Sequence, residues 1–407
     1  MSDSATATAT AADAASPIGR KVSFFDTTLR DGEQAPRNGM TAEAKVDLAL
    51  RLEAIGVDVI EVGFPASSAN DFRAARSAAR QLSRATVATF ARSTESDILR
   101  SVEAVGVARH QVQLLVSSSD LHLTHKRGIS RAECLREMVG AVRFTASLGV
   151  TDISVGLEDS SRSTPDLLRA LVDSAIEAGA RTVVLADTSG CLIPDEAGAL
   201  VAMVKSWMPA GAKLSLHCHD DMGMALANSI AGLVAGADEV QTTLGGVGER
   251  SGNTALEEVA AVLSYKGRQL GLSSEINTKL LYDSYRALES SMRLDGGRNK
   301  AIVGQNSFAT SAGIHQDGLL QKPETYEFLV PEDFGRQRQV LVGRHSGRAI
   351  LRYLLDELHV DGDERLVGVL YDELIGGRVD NDVVTLEEFS KRILAYLEGA
   401  SASGARG

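Results

Sequence analysis

The feature that most limits the possible folds is a regular alternation of short apolar runs and longer helical stretches between residues 22 and 265. Each run is rich in β-branched residues, and each is followed by an Ala-, Arg- and Glu-rich stretch with helical spacing. The runs are VSFFD (22–26), VDVIEVG (57–63), ATVATFA (85–91), QVQLLVS (111–117), DISVG (152–156), TVVLAD (182–187), KLSLHCH (213–219) and EVQTTLG (239–245). Strands that are apolar on both faces predict a parallel sheet covered by helices.

Two parallel architectures fit this alternation. Eight strand–helix units in 244 residues give about 30 residues per unit, close to the roughly 250 residues of a typical (β/α)8 barrel. A doubly wound open sheet predicts a Gly-rich phosphate turn after the first strand, and TTLRDGEQ offers only Gly32 there. The sequence therefore favours an α/β fold built on a (β/α)8 TIM barrel.

The alternation stops after about residue 266, which indicates a change of architecture. Amphipathic helices are expected near 345–359 and 363–375, and a Thr385-x-x-Glu388 capping box opens a last one. We interpret this region as a lid with a helical subdomain. The expected organisation is a disordered N-terminal tail (1–20), the barrel (21–270), the lid and helical subdomain (271–398) and a C-terminal tail (399–407).

Charge and composition exclude several classes of protein. The chain has 42 Lys and Arg residues against 54 Asp and Glu residues, a net charge of −12, which disfavours binding to nucleic acid. No apolar run approaches the roughly 18 residues that a membrane helix needs. Cys134, Cys191 and Cys218 form no disulfide framework, and residues 1–20 resemble no signal peptide. We expect a soluble, cytoplasmic protein.

Polar residues collect where the predicted strands end, which in a barrel is the side of the active site. They follow the first, second, fifth, sixth, seventh and eighth strands. These residues are Arg30, Asp31, Glu33, Gln34, Glu61, Glu158, Asp159, Asp187, Thr188, His217, His219, Asp220, Asp221, Glu249, Arg250 and Asn253. Their coincidence on one rim predicts an active site there.

The sharpest local signal is His217-Cys218-His219. Residues i and i+2 of a strand face the same side, so both imidazoles face one way and Cys218 the other. Two such histidines with an oxygen ligand from Asp31 or Asn253 would suit a divalent metal. The alternative is that the two histidines are hydrogen-bonded polar residues at a strand end. For Arg30 and Asp31, the alternative is a simple salt bridge.

Three long segments identify a family resemblance. FFDTTLRDGEQAP…IEVGFP, LSLHCHDDMGMALANS and GGVGERSGNTALEEV occur in order and resemble the isopropylmalate synthase and homocitrate synthase family. SAGIHQDGLL and VGRHSGR extend the resemblance to about residue 350. It implies a metal-dependent barrel enzyme, an acyltransferase that condenses acetyl-CoA with a 2-oxo acid.

The resemblance also implies roles for single residues. Asp31, His217 and His219 would bind a divalent cation (Mg, Mn or Zn), with Asn253 beside it. Arg30 would stabilise the developing oxyanion, and Glu158 would orient water for thioester hydrolysis. His315 would act as the base from a lid that reaches a neighbouring subunit, which implies a homodimer. The substrate pocket would hold Gln34, Arg37, Ser154 and Thr188.

The sequence leaves the identity of the acceptor 2-oxo acid undecided. Ser154 stands where fungal-type homocitrate synthases carry an Arg, and Arg37 adds a cation near the mouth, unless it points into solvent. We expect a polar or anionic 2-oxo acid that gives a homocitrate-like or phosphorus-bearing malate, with antibiotic biosynthesis as one possible setting. The alternative is 2-isopropylmalate synthesis from 2-oxoisovalerate. A hydroxymethylglutaryl-CoA lyase fits less well, because the loop around Val247 carries no Cys.

Overall fold

The computed structural model describes residues 19–380 and 382–404. Within that part of the chain, eight parallel strands close into a barrel in chain order, which confirms the predicted (β/α)8 fold. The strands are β1 (Ser23–Asp26), β2 (Val59–Glu61), β3 (Thr86–Arg92), β4 (His110–Ser117), β5 (Asp152–Glu158), β6 (Thr182–Asp187), β7 (Lys213–Cys218) and β8 (Glu239–Thr242). Ser23 pairs with Glu239 and Asp26 with Thr242, which joins β1 to β8 and closes the barrel.

A helix follows each strand. The helices are α1 (Ala42–Ile55), α2 (Ala69–Gln81), α3 (Glu95–Val105), α4 (Arg131–Ser147), α5 (Pro165–Ala178), α6 (Pro194–Lys205), α7 (Ala225–Val234) and α8 (Leu256–Leu270). Two helices begin with typical start signals, since the Thr41 hydroxyl accepts a hydrogen bond from the Ala44 amide at α1 and Pro194 is the first residue of α6. Short helical turns lie at Gly32–Gln34, Asp120–His122, Leu123–Arg127, Ser160–Arg162 and Leu244–Gly246.

A second compact unit begins at Thr278. Its strands are β9 (Ala309–Thr310), β10 (Gln339–Val342) and β11 (Val384–Thr385), and its helices are α9 (Leu281–Met292), α10 (Gly313–Gln321), α11 (Arg348–Glu357), α12 (Glu364–Tyr371) and α13 (Leu386–Gly404). Turns lie at Thr278–Leu280, Pro323–Thr325, Pro331–Phe334 and Asp372–Gly376. The predicted capping box is present, because the Glu388 amide donates to the Thr385 hydroxyl and the Thr385 amide donates to Glu388.

Residues 1–18 and 405–407, which belong to the tails expected at 1–20 and 399–407, lie outside the described residues, and α13 continues through residues 399–404. Arg20 and Lys21 form a parallel two-stranded ribbon with Leu272 and Ser273. Across the described residues, no helix combines the length and the apolar character needed to cross a bilayer.

Two sets of buried polar side chains lie on the strands of the barrel, one at the mouth and one below it. Alternate residues of a strand point inward, so residues two apart on one strand occupy successive layers. The mouth layer consists of Glu61, Gln113, His217 and Gln241. The lower layer consists of Gln111, Thr182, Ser215 and Glu239, of which three lie two residues before a member of the mouth layer. All eight side chains are buried.

Candidate active site

The loop after β1 positions the first two site residues. The Thr27 carbonyl accepts hydrogen bonds from the backbone amides of Arg30 (3.1 Å), Asp31 (2.9 Å) and Gly32 (3.2 Å), which winds the chain into a tight turn. The Thr27 amide donates to the carbonyl of Thr242 on β8 (2.9 Å). This turn is therefore anchored to the barrel, and the Arg30 and Asp31 side chains are held at its mouth.

The end of β7 supplies the two histidines. His217 and His219 are both 7% exposed, and Cys218 between them is fully buried on the other face of the strand, as the alternation predicted. The segment after β8 packs against this end, since the Thr254 amide donates to the Cys218 carbonyl (3.1 Å). Burial raises the pKa of the Cys218 thiol far above its usual range, which suits a packing residue rather than a ligand.

Three ligand atoms converge at the mouth. Asp31 Oδ2 lies 3.2 Å from His217 Nε2 and 3.7 Å from His219 Nε2, and the two Nε2 atoms lie 3.3 Å apart. Two ligands about 2.1 Å from one ion, at octahedral or tetrahedral angles, stand about 3.0–3.4 Å apart. Among the described residues, this is the group of His, Cys, Asp and Glu side chains whose spacing fits a metal ion. The buried Asp–His–His group is consistent with a divalent metal site.

The protonation states suit cation binding. Burial opposes the charge of Asp31, but Arg30 and His217 outweigh it and hold the pKa of that carboxyl well below its usual range. Burial and the neighbouring His217 lower the pKa of His219 to about 4. At neutral pH the group therefore offers a carboxylate and a neutral imidazole, the forms in which these side chains bind metals.

Asn253 stands beside the histidines and has an oxygen to spare. Its backbone forms an isolated antiparallel β-bridge with that of His219. Its side-chain Nδ2 donates a hydrogen bond to the Val247 carbonyl (3.2 Å), which fixes the orientation of the side-chain amide. Its Oδ1 is buried and has no hydrogen-bond partner among the described residues. Gly248 is needed for this arrangement, because a Cβ there would collide with the Asn253 amide. The free oxygen could complete a ligand set or bind a water beside it.

Arg30 is held by a buried carboxylate. Its Nε donates to Glu61 Oε2 (2.7 Å), and the Thr27 hydroxyl donates to the same oxygen (2.5 Å). The closest Arg30–Asp31 contact is 3.7 Å, so Glu61 is the stronger partner and the simple salt bridge with Asp31 is secondary. The guanidinium also lies 4.7 Å from the centre of the Phe90 ring. Arg30 is thus a fixed, desolvated cation next to the ligand group.

Glu158 has partners that sequence reasoning missed. Lys126 Nζ lies 2.5 Å from Oε1, while His122 Nδ1 (3.2 Å) and the Ser117 hydroxyl (3.1 Å) lie near Oε2. Burial raises the pKa of Glu158, but Lys126 and His122 outweigh it and the net pKa is lowered, so Glu158 is ionised at neutral pH. The loop between β4 and α4 brings His122 and Lys126 here, and no spacing in the sequence indicated that pairing.

Two buried glutamines were also missed. Gln113 Nε2 donates to Glu61 Oε1 (3.1 Å), Gln241 Nε2 donates to Gln113 Oε1 (2.9 Å), and Gln241 Oε1 lies 3.0 Å from His217 Nδ1. The available signal was a polar residue inside an otherwise apolar strand run, which in a barrel interior is unusual.

These side chains surround a cavity of about 490 Å³ at the barrel mouth, a size typical of small-molecule sites. Its lining joins polar and apolar residues from the carboxyl-terminal parts of the strands and from the turns that follow them. The lining includes Arg30, Asp31, Gln34, Phe64, Phe90, Arg92, Leu115, Lys126, Arg127, Glu158, Val184, Ala186, Thr188, His217, His219, Glu249 and Arg250. Gln34 and Thr188 are among these lining residues.

Three of the expected site residues lie elsewhere. Arg37 is exposed, has a left-handed backbone (φ 75°) and does not line the cavity. Ser154 is fully buried two residues before Gly156, one layer below the cavity wall, and its hydroxyl has no partner among the described residues. His315 belongs to the second unit, where it is exposed on α10 and its ring centre lies 4.4 Å from that of Tyr326.

Comparison with family models assigns both parts of the chain. The HMGL-like model matches residues 21–287, and a model described as homocitrate synthase post-HMGL domain-like matches residues 302–374. The first match alone covers about two thirds of the chain. It spans every residue of the group around Asp31, His217 and His219.

Curated relatives and solved structures agree with these matches. The chain is 38% identical over 362 residues to 2-isopropylmalate synthase of Shewanella halifaxensis, covering 88% of this chain and 69% of the relative. It is 40% identical over 342 residues to that of Nitrobacter winogradskyi, covering 83% and 66%. In structure it is similar to the HMG-CoA lyase of Bacillus subtilis, with a TM-score of 0.59 and 21% identity over 68% of this chain and 96% of the lyase. At that identity the likeness concerns the fold.

Proposed function

The chain belongs to the HMGL-like family, in the branch that carries a homocitrate synthase post-HMGL region, and from this premise we propose that it joins the acetyl group of acetyl-CoA to a small 2-oxo acid. The products are a 2-substituted malate and free CoA. One observation carries the proposal: the convergence of Asp31, His217 and His219 beside a fixed Arg30 in the mouth cavity.

Asp31, His217 and His219, with Asn253 adjacent, would hold a divalent cation, which would supply Lewis-acid polarisation of the carbonyl of the 2-oxo acid. The donor set of one carboxylate and two imidazoles suits Zn or Mn, and the Asn253 amide oxygen also suits Mg. The unpaired Asn253 Oδ1 and the spacing of the three ligand atoms support this assignment.

Arg30 stabilises the negative oxygen that develops during carbon–carbon bond formation. Glu61 and Thr27 fix its Nε side, so the other guanidinium nitrogens remain for the reacting oxygen. A cation positioned before the reaction needs no reorganisation when charge appears, and such groups commonly contribute about 10²–10³-fold in rate.

Proton removal from the acetyl methyl group requires a base, and His315 is the proposed one. Its assignment derives from its motif, SAGIHQDGLL, and stays a prediction, as do the homodimer, the exchanged lid and a setting in antibiotic biosynthesis. Glu158, ionised and held by Lys126 and Ser117, is proposed to orient the water that hydrolyses the thioester.

The relatives favour 2-oxoisovalerate as the acceptor, the alternative left open by the sequence, over the anionic 2-oxo acid expected first. The cavity supports this choice with an apolar wall that includes Phe64 and Phe90, whose rings meet edge to face with centres 5.2 Å apart. Arg37, one basis of the anionic expectation, lies outside the cavity.

An anionic acceptor remains the second candidate because four cations besides Arg30 line the cavity, among them Arg250, which pairs with Asp221. Arg92, Lys126 and Arg127 each already contact a carboxylate, on Asp97, Glu158 and Glu137 respectively. If the acceptor carries a second anion, Arg127→Met should raise its KM about tenfold or more, since a charge-assisted contact is worth about 1.5–3 kcal/mol. With 2-oxoisovalerate the same variant should leave KM within about twofold.

The test is acetyl-CoA-dependent release of free CoA thiol with Mg²⁺, Mn²⁺ or Zn²⁺ against a panel of acceptors. The panel contains 2-oxoisovalerate, pyruvate, oxaloacetate, 2-oxoglutarate and phosphonopyruvate. Release with 2-oxoisovalerate that a chelator abolishes supports the first candidate, and release with only a dianionic acid supports the second. No release with any acid, together with cleavage of hydroxymethylglutaryl-CoA, would replace the condensation with a lyase reaction.

A further inference from the structure

We infer that Gln113 and Gln241 form a directional relay that fixes the tautomer of His217 and so prepares its Nε2 for the cation. They are positioning residues that act through His217. The inference rests on the metal site of the proposed function, but it concerns two side chains to which no role has been given.

The relay begins at Glu61, which can only accept hydrogen bonds. Glu61 forms an ion pair with the Arg30 guanidinium, and both Arg30 and Thr27 donate hydrogen bonds to its Oε2. The remaining oxygen, Oε1, faces Gln113 at 3.1 Å. Because an acceptor must meet a donor, Gln113 is forced to present its NH₂ group to Glu61.

The direction then passes from amide to amide. With its NH₂ on Glu61, Gln113 turns its Oε1 to Gln241, which must donate to it through Nε2 (2.9 Å). This places Oε1 of Gln241 3.0 Å from His217 Nδ1. All the partners are buried, and reversal at any step would leave two acceptors or two donors face to face.

The consequence falls on the histidine. Facing an acceptor, His217 Nδ1 must carry the proton, which leaves the lone pair on Nε2. That lone pair points at the carboxylate oxygen of Asp31 (3.2 Å) and at His219 Nε2 (3.3 Å). In the neutral imidazole that a metal ion requires, this lone pair and the Asp31 carboxylate converge on one position, where a cation would bind.

Variants of one strand give a matched comparison. Gln113→Met removes the donor and acceptor that orient Gln241 without touching His217. Gln111→Met makes the same change two residues earlier, in the lower layer, where Gln111 contacts Asp152 (3.1 Å). Partners behind a metal-bound histidine typically contribute 10–100-fold to metal affinity. We expect Gln113→Met to weaken Mn²⁺ binding about tenfold and Gln111→Met to change it less than twofold.

A second substitution that restores Mn²⁺ affinity can distinguish a role of Gln113 in orienting hydrogen bonds from a role in packing. In the Gln113→Met background, Gln241→Glu supplies an acceptor to His217 whichever way the side chain turns, so the double variant should regain most of the Mn²⁺ affinity. A purely structural role for Gln113 predicts no such recovery. Affinity is measured by competition with a fluorescent chelator, independently of turnover, after thermal melts have verified folding.

Wild-type protein provides a check that needs no variant. With ¹⁵N-histidine labelling and Zn²⁺ bound, one-bond ¹H–¹⁵N correlations should place the imidazole proton of His217 on Nδ1. A proton on Nε2, equal Mn²⁺ affinities of the Gln113 and Gln111 variants, or a failed rescue would each overturn the relay. Absence of Mn²⁺ and Zn²⁺ binding by the wild type would instead overturn the proposed metal site.

Discussion

The mouth and lower layers of the barrel interior lie one strand repeat apart and share three strands, β4, β7 and β8, yet their polar groups are arranged differently. In the mouth layer, Glu61, Gln113, Gln241 and His217 form one connected chain of hydrogen bonds. In the lower layer, Gln111 Oε1 and Thr182 Oγ1 are buried without a partner among the described residues.

The two layers also differ in how their buried charges are compensated. At the mouth, Arg30 and Glu61 compensate each other. In the lower layer, burial raises the pKa of Glu239 to about 7, and Lys213, Ser215 and Ser23 offset this only in part. The comparison indicates that the mouth is organised for directed chemistry, while the lower layer carries polar groups whose effect is on stability.

Loss of a ligand at the mouth should have the largest effect on activity. His217→Ala or His219→Ala should lower kcat/KM at least 10³-fold, about 4 kcal/mol, because the carbonyl loses its polarising partner. Steady-state release of CoA measures this. Ser215→Ala, on the same face of the same strand, is the control and should keep kcat within about twofold. If Ser215→Ala lowered activity as much as the histidine variants, the proposed functional difference between the two layers would be wrong.

Removing the fixed cation should have the next largest effect. Arg30→Met should lower kcat about 10²–10³-fold, since a positioned charge beside the developing oxyanion is lost. Mn²⁺ affinity should change by only a few-fold, because Arg30 is not a ligand. Arg109→Met is a suitable control at the opposite end of the barrel, where Arg109 donates to the Leu82 carbonyl. A rise in KM at constant kcat would assign Arg30 to substrate binding alone.

A change in the lower layer should alter stability and its pH dependence. The pKa of Glu239 is about 7 in the fold against 4.5 ordinarily, so its neutral form stabilises the fold below pH 4.5 and that contribution is lost as pH rises to about 7. The Glu239→Gln variant cannot ionise at this position, so it does not lose this stability as the pH rises. Relative to wild type, the variant should gain stability between pH 5 and 8, up to the order of 3 kcal/mol.

Urea titrations of both proteins at pH 5 and pH 8 measure that gain, and Mn²⁺ affinity should be unchanged. If the two proteins lost stability in parallel over this range, Glu239 would not be the titrating group. If Mn²⁺ binding changed tenfold, the lower layer would share the function assigned to the mouth.

The smallest effect is expected outside both layers. Arg37 is exposed with φ 75°, a backbone conformation that costs an L residue free energy and costs glycine almost none. Arg37→Gly should raise the unfolding free energy by about 0.5–1 kcal/mol and leave KM for every acceptor within twofold. A several-fold rise in KM for a dianionic acceptor would instead show that Arg37 contributes to substrate binding.

Most of the fold could be predicted from sequence because the barrel repeats one pattern. Each apolar run became a strand within a few residues of its expected bounds, and β5 continued to Glu158. The convergence of Asp31, His217 and His219 also followed from two rules: strand ends meet at one rim, and residues i and i+2 share a face.

The rest depended on contacts that no local pattern encodes. Gln113 and Gln241 are 128 residues apart in the chain and meet only because the barrel closes. His122 and Lys126 reach Glu158 through a loop whose course includes a π-helical turn. Arg37 was expected near the substrate from its place in a motif, but the backbone of its turn directs it to solvent.

The central claim is that the mouth of this barrel holds one divalent cation on three named atoms. Anomalous diffraction from crystals soaked in Mn²⁺ tests it most directly. We predict one strong peak about 2.0–2.3 Å from Asp31 Oδ2, His217 Nε2 and His219 Nε2. A fully occupied peak elsewhere, with none between these atoms, would contradict the claim.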